Sequence, residues 1–286
     1  MPHPSNRKRS HHQATFAVVA VAVMAFSLLQ SLVTPVLTDI QAELHTDQNT
    51  VTWVLTAYLL SASVCTPIVG RIGDRVGKDK MLLVALLGLV VGSLVAALAT
   101  NVGVMIAGRV VQGIGGGVLP LSFGIIRDEF PKEKVAGAVG LTASLAAAGT
   151  GVGIVIAGPI VDALSYHWLF WIPMIVTALT AVAAWIVVPP SPVRTPGRIS
   201  VLPAVMLSAW LVCLLLGLSQ GHRWGWTSGD VLSLLAAAVV LAALWVLVET
   251  RSAAPLIDMQ MMRLPAVWTT NLIAMLAGVA DRKSVV

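Results

Sequence analysis

An arginine inside an apolar helix is the first residue of this sequence that could do chemistry. In Arg109-Val-Val-Gln112-Gly113-Ile-Gly115-Gly116-Gly117 the guanidinium stands about seven residues, roughly 10 Å, inside an otherwise uncharged run. A charge at that depth costs at least about 2.5–3.5 kcal/mol on insertion scales, and intramembrane ionisable residues are functional by default. The alternative is a side chain that snorkels outward to the headgroups. A second candidate is the stretch Gly70-Arg-Ile-Gly73-Asp74-Arg75-Val-Gly77-Lys78-Asp79-Lys80. Gly70 and Gly77 permit a tight reversal there, and the alternating charges can pair with one another or with helix ends. Gly149, Gly153 and Ala157 are four apart, a spacing that puts small side chains on one helix face and lets another backbone come close. Gln30, Thr34, Tyr58 and Ser61 are polar groups that could line a cavity, although hydroxyls in membrane helices usually bond their own backbone or a neighbouring helix.

The elements that must position these residues are long and apolar. Of 286 residues 57% are apolar and only 11% charged, against about 45–50% and 25% in a soluble domain, and mean hydropathy is +0.88. Runs long enough to cross a bilayer as helices, about nine of them, lie near Ala14 to Val36, Val51 to Val69, Met81 to Ala99, Val102 to Ile126, Val135 to Ile160, Trp168 to Val188, Val201 to Ser219, Val231 to Glu249 and Ala266 to Ala280. The last is short. The runs are continuous rather than alternating, so the fold class is all-α, a polytopic membrane protein and not a barrel. The first run is long, lacks a small-residue cleavage site and is followed by further spans, so it reads as a retained helix after a tail of residues 1–13.

Sidedness follows from charge. With the N-terminus in the cytoplasm, 14 of the 18 Lys and Arg fall on inner segments, among them Arg7, Lys8, Arg9, Arg71, Arg127, Lys132, Arg194, Arg251 and Arg263. Arg223 alone lies in an outer loop, as the positive-inside rule requires. Trp53, Trp168, Trp171, Trp224 and Trp226 then sit near the outer interface, Trp185 and Trp245 near the inner one. The basic balance therefore marks a membrane face and not a nucleic-acid partner. Cys65 and Cys213 lie in apolar runs and define neither a disulfide nor a metal site. No H-E-x-x-H, phosphate loop or nucleophile with a deep histidine points to an enzyme; His167 and His222 sit at outer ends. A stretch rich in turn formers, Pro189, Pro190, Pro192, Pro196 and Gly197, divides a six-helix unit (14–188) from the rest through a linker at 189–200.

The loop from Gly70 to Lys80 resembles the signature loop of the major facilitator superfamily, G-x-L-x-D-R-x-G-R-K-x-x. Gly70, Asp74, Arg75 and Gly77 match, Ile72 and Lys78 are conservative replacements, and Asp79 stands where a basic residue is usual. Arg109, Gln112 and the glycines after them resemble a second signature of the same superfamily, in which the arginine contributes to proton coupling or organises the cavity. Gly140, Gly149, Gly153 and Gly158-Pro159 resemble the packing motif of its drug antiporters, with Ile154 and Ala157 departing from the pattern. The loop 250–265 does not repeat the Gly70 pattern and looks like the segment leading into the second half of the fourteen-helix drug:proton antiporters. On that resemblance 201–249 are two inserted helices, 266–280 begin the second half, and 281–286 read as a non-native tail on a truncated chain.

The resemblance implies export of hydrophobic or amphiphilic small molecules across the plasma membrane by alternating access, with no cofactor, a proton gradient as energy source, protons and lipid as the other partners, and a monomer at full length. Uptake of a polar solute by the same fold, or a fragment inactive alone, are the alternatives. Leu29 and Thr34 stand where that branch often carries an aspartate and an asparagine. No carboxylate lies deep in a span, so the coupling group is expected in the absent half, with a rim residue such as Asp39, or no proton coupling, as the other readings.

Overall fold

The computed structural model describes residues 4–191, 201–252 and 259–283. Every regular element among them is helical: α1 (Pro4–Ser31), a 3-10 turn (Thr34–Val36), α2 (Leu37–Glu43), α3 (Gln48–Val51), α4 (Trp53–Val76), α5 (Lys78–Ala97), α6 (Val102–Gln112), a second 3-10 turn (Gly113–Gly117), α7 (Val118–Glu129), α8 (Lys132–Ala163), α9 (Trp168–Val187), α10 (Val201–Trp224), α11 (Gly229–Arg251), α12 (Met259–Met262) and α13 (Pro265–Lys283). Eight helical stretches among the described residues are long and apolar enough to cross a membrane, α6 and α7 forming one of them together. The ninth expected span falls in α13, which is not among the eight and continues past Ala280 to Lys283. Most of the expected linker, including Arg194 and Arg198, lies outside the described residues, as do 253–258 and 284–286.

Chain punctuation follows local chemistry. Asn101 caps α6 by accepting from the Val104 amide at 3.0 Å, and Ser228 caps α11 through Val231 N at 3.3 Å. Asp47 caps α3 between the first two spans, and the Thr50 hydroxyl and amide hold its carboxyl below the usual range. Gly77 ends α4 at φ +125°, a conformation that other residues adopt only with strain. Gly70 plays no part in that reversal: it lies inside α4, about two turns earlier, and a Cβ there would meet nothing within 4 Å.

Helices α1, α4, α5, α6–α7, α8 and α9 form one bundle, α1 packing on α8 and α9, and α5 lying against α4, α6 and α9. One core cluster, with Phe26, Leu82, Leu86, Leu89, Leu121 and Ile126, fills the half that carries the basic loop. A second, with Leu32, Ile40, Val54, Met105, Leu169 and Phe170, fills the opposite end. Outside the bundle, α10 and α11 pair as a hairpin that touches it along α4. Large apolar residues point outward, Val155 at 74%, Ile186 at 71% and Val239 at 70% exposure, which only lipid makes favourable. Of the two tryptophans expected at the basic interface, Trp185 is exposed, but Trp245 is buried in the hairpin, 6.1 Å from the Trp210 ring.

Candidate functional site

Arg109 is completely buried, which removes the snorkelling alternative. Its Nε donates to the Val54 carbonyl of α4 at 3.1 Å and its Nη1 to Gln112 Oε1 at 2.6 Å. Gln112 in turn donates from Nε2 to Ser93 Oγ of α5 at 2.8 Å. The guanidinium lies over the Tyr58 ring, 4.4 Å from its centroid. One cation thus ties three helices together through neutral groups, and among the described residues no carboxylate pairs with it. Arg109 Nη2 and the Tyr58 hydroxyl are both buried and bond to no described group.

The backbone makes room for this cluster. A Cβ on Gly108 would stand 2.8 Å from Ala96 N and 2.9 Å from Gly92 O, so α5 and α6 cross with their main chains in contact. On the other flank Ser61 Oγ donates to Val110 O at 2.6 Å and packs against Gly113, which makes Ser61 a tie between α4 and α6. Gln30 is half-buried at the end of α1, whereas Thr34 is exposed in the 3-10 turn beyond it. Tyr58, expected from the sequence to line a cavity, lies under Arg109 as its platform. Because a desolvated cation–π contact is worth about 2 kcal/mol, Tyr58→Leu is expected to lower the thermal stability of the purified protein by about that amount. Tyr58→Phe keeps the ring and removes a hydroxyl that bonds to no described group, so it should leave the melting curve in place.

At the other end of the bundle, Lys78 Nζ pairs with Asp128 Oδ2 at 2.7 Å, both side chains nearly buried, and reaches the more exposed Asp74 at 3.8 Å. Arg75 is exposed. Gly70, Asp74, Lys78, Phe123, Arg127 and Asp128 line a cavity of about 680 Å³. Asp128 was not singled out from the sequence; its signal is an acidic residue following Arg127 at the same end as the basic loop.

The packing motif on α8 is only half used. Gly149 meets the Met24 backbone, with Met24 O at 2.8 Å from a Cβ, and Gly153 meets Leu28 O at 2.9 Å and the Ser31 hydroxyl. Gly140 and Gly158 make no such contact, and Pro159 is exposed within the helix. At 100° per residue, nine residues put Gly140 about 180° from Gly149, and five put Gly158 about 140° from Gly153, so neither can share that face. Glu249, the last residue of the expected span from Val231, is only 1% exposed near the end of α11.

A bundle of long helices with apolar outer faces, a buried cation at one level and a charged reversal at one end is the architecture of a polytopic membrane protein. Residues 19–280 match the family model of the Major Facilitator Superfamily, and the chain belongs to that superfamily. It is 32% identical over 262 residues to the tetracenomycin C resistance and export protein of Streptomyces glaucescens, covering 91% of this chain and 49% of that one. Multidrug resistance protein 3 of Bacillus subtilis is 28% identical over 228 residues, 79% of this chain and 44% of the relative. The chain therefore spans about half the length of the curated relatives it matches. The fold is shared with the POT family transporter PepTSo (TM-score 0.57, 20% identity, 83% of this chain and 52% of that one) and with the human organic anion transporter MFSD10 (TM-score 0.56, 18%, 78% and 59%).

Proposed function

We propose that the chain is the first part of a fourteen-helix, proton-coupled exporter of hydrophobic or amphiphilic compounds, seated in the plasma membrane with its basic end in the cytoplasm. In this reading 14–188 form the first six-helix half, 201–249 the two inserted helices and 266–280 the start of the second half. The pairing of α10 with α11 at the side of the bundle supports the insert reading. The tetracenomycin C resistance and multidrug resistance relatives support export of drug-like molecules.

The observation that carries the proposal is the buried Arg109, whose partners among the described residues are all neutral. A cation held in low dielectric without a counter-charge is costly, and its field acts on any acid that approaches. It holds such an acid in its ionised form, and a proton delivered to that acid weakens the attraction; this is the alternation that a proton-coupled exchanger requires. We place the titrating carboxylate in the second half of the transporter.

In cells producing the whole transporter, a lipophilic fluorescent cation should accumulate less than in cells without it, and a protonophore should erase the difference. Equal accumulation in both cell lines contradicts export. Asp74→Asn, at the rim of the charged cavity, is expected to lower the maximal efflux rate several-fold while leaving the half-saturating concentration in place; a change confined to that concentration contradicts a gating role for the loop.

A further inference from the structure

The N-terminus of α5 is capped by a residue more than a hundred positions away. Helices leave their first amides without intrahelical acceptors, and Gly77, at the cap position of α5, has no side chain to offer. Ser191 Oγ fills that role, accepting from Lys78 N at 2.9 Å and from Asp79 N at 3.3 Å. The bond is returned: Ser191 N donates to Asp79 Oδ1 at 3.0 Å. Ser191 is only 8% exposed. It follows Pro189 and Pro190, whose fixed φ angles hold it at a set offset from the end of α9. Asp79 also sits where the positive end of the α5 dipole favours an anion. A lysine or arginine at this position, as the superfamily signature has it, could not accept from Ser191 N, so the arrangement belongs to this chain's departure from the signature.

Lys78 stands at the junction. Its amide is capped by Ser191 and its ammonium pairs with Asp128. We propose that Ser191 and Asp79 form a reciprocal latch between the exit of the six-helix bundle and the charged loop, making both positioning residues of that loop. Displacement of the chain leaving α9 uncaps α5 and loosens the Lys78–Asp128 pair. The transport meaning of this coupling rests on the gating role given above to the loop; the latch itself is tested without substrate, so its failure leaves the transport reading standing.

Hydrogen exchange of the purified full chain, read by mass spectrometry, tests it together with the rate at which an amine-reactive reagent modifies Lys78. In Ser191→Ala the Lys78 and Asp79 amides should exchange roughly tenfold faster, the effect of losing one cap, and Lys78 should be modified several-fold faster, while the exposed Lys80 and the interior of α5 stay as in wild type. Ser191→Thr should restore both. Asp79→Leu, which removes the return bond and the anion at the start of α5 while leaving Ser191 Oγ in place, should accelerate Lys78 modification as well. Unchanged exchange at Lys78 and Asp79 in Ser191→Ala overturns the latch, and so does acceleration spread evenly along α5 with threonine no better than alanine.

Discussion

Arg109→Ala is expected to reduce efflux by the whole transporter to the background of cells lacking it, with the protein still folded and in the membrane. The buried charge costs about 2.5–3.5 kcal/mol, and each charged hydrogen bond returns roughly 1.5–3 kcal/mol. Removing the side chain gives up two such bonds and the Tyr58 ring contact, together more than the desolvation cost it recovers, so the melting temperature should fall, and the loss of efflux is read on protein that is still folded in the membrane. Activity is different, because no other described residue supplies a cation at that depth. Arg109→Lys separates charge from shape: an ammonium keeps the charge but lacks the planar fork that reaches Val54 O and Gln112 from separate nitrogens while stacking on Tyr58. Lysine is expected to recover only a small part of the efflux. Wild-type efflux in Arg109→Ala removes this residue from the mechanism.

Gly108→Ala is expected to damage the bundle with a single added methyl. The added Cβ meets Ala96 N at 2.8 Å, Gly92 O at 2.9 Å and Ala96 Cβ at 3.1 Å, which are main-chain atoms and a side chain with no rotamer to change. Helices α5 and α6 must move apart, carrying Ser93 away from Gln112 and disturbing Arg109 beside it. Overpacking of this kind costs about 1–3 kcal/mol. Thermal unfolding in detergent, followed by size-exclusion, should show the loss, and efflux should fall further than stability because the Arg109 network is distorted. Gly140→Ala is the matched control: nothing lies within 4 Å of its Cβ, and alanine is the better helix former by about 1 kcal/mol, so the protein should be as stable as wild type or more so. Equal behaviour of the two variants contradicts the close crossing.

The spans and the buried arginine were legible because both signals are local: an apolar run states its own length, and one charge inside it stands out. The partners of Arg109 were not, since Val54, Tyr58 and Ser93 reach it only through packing of α4 and α5 on α6, and nothing in their local sequence marks them. Tyr58 stands out in the sequence for its hydroxyl, but the contact it makes in the fold is through its ring, under Arg109. The glycines show a different limit. Four-residue spacing puts Gly149, Gly153 and Ala157 on one face, and all three are buried, whereas helical arithmetic places Gly140 and Gly158 of the resembling motif on other faces, where they meet nothing within 4 Å. Asp79 looked like a defect in a signature, and it became intelligible only when Ser191 was found beside it.

Proton movement driven by substrate in everted membrane vesicles is the most direct test of Arg109 as the organising charge of a proton-coupled exporter. Vesicles containing the whole transporter, acidified inside and reported by a pH-quenched acridine dye, should lose part of their acidity when an amphiphilic cation is added, and vesicles carrying Arg109→Ala should not respond. Substrate transport without any change in internal pH, or an undiminished response in the Arg109→Ala vesicles, would contradict it.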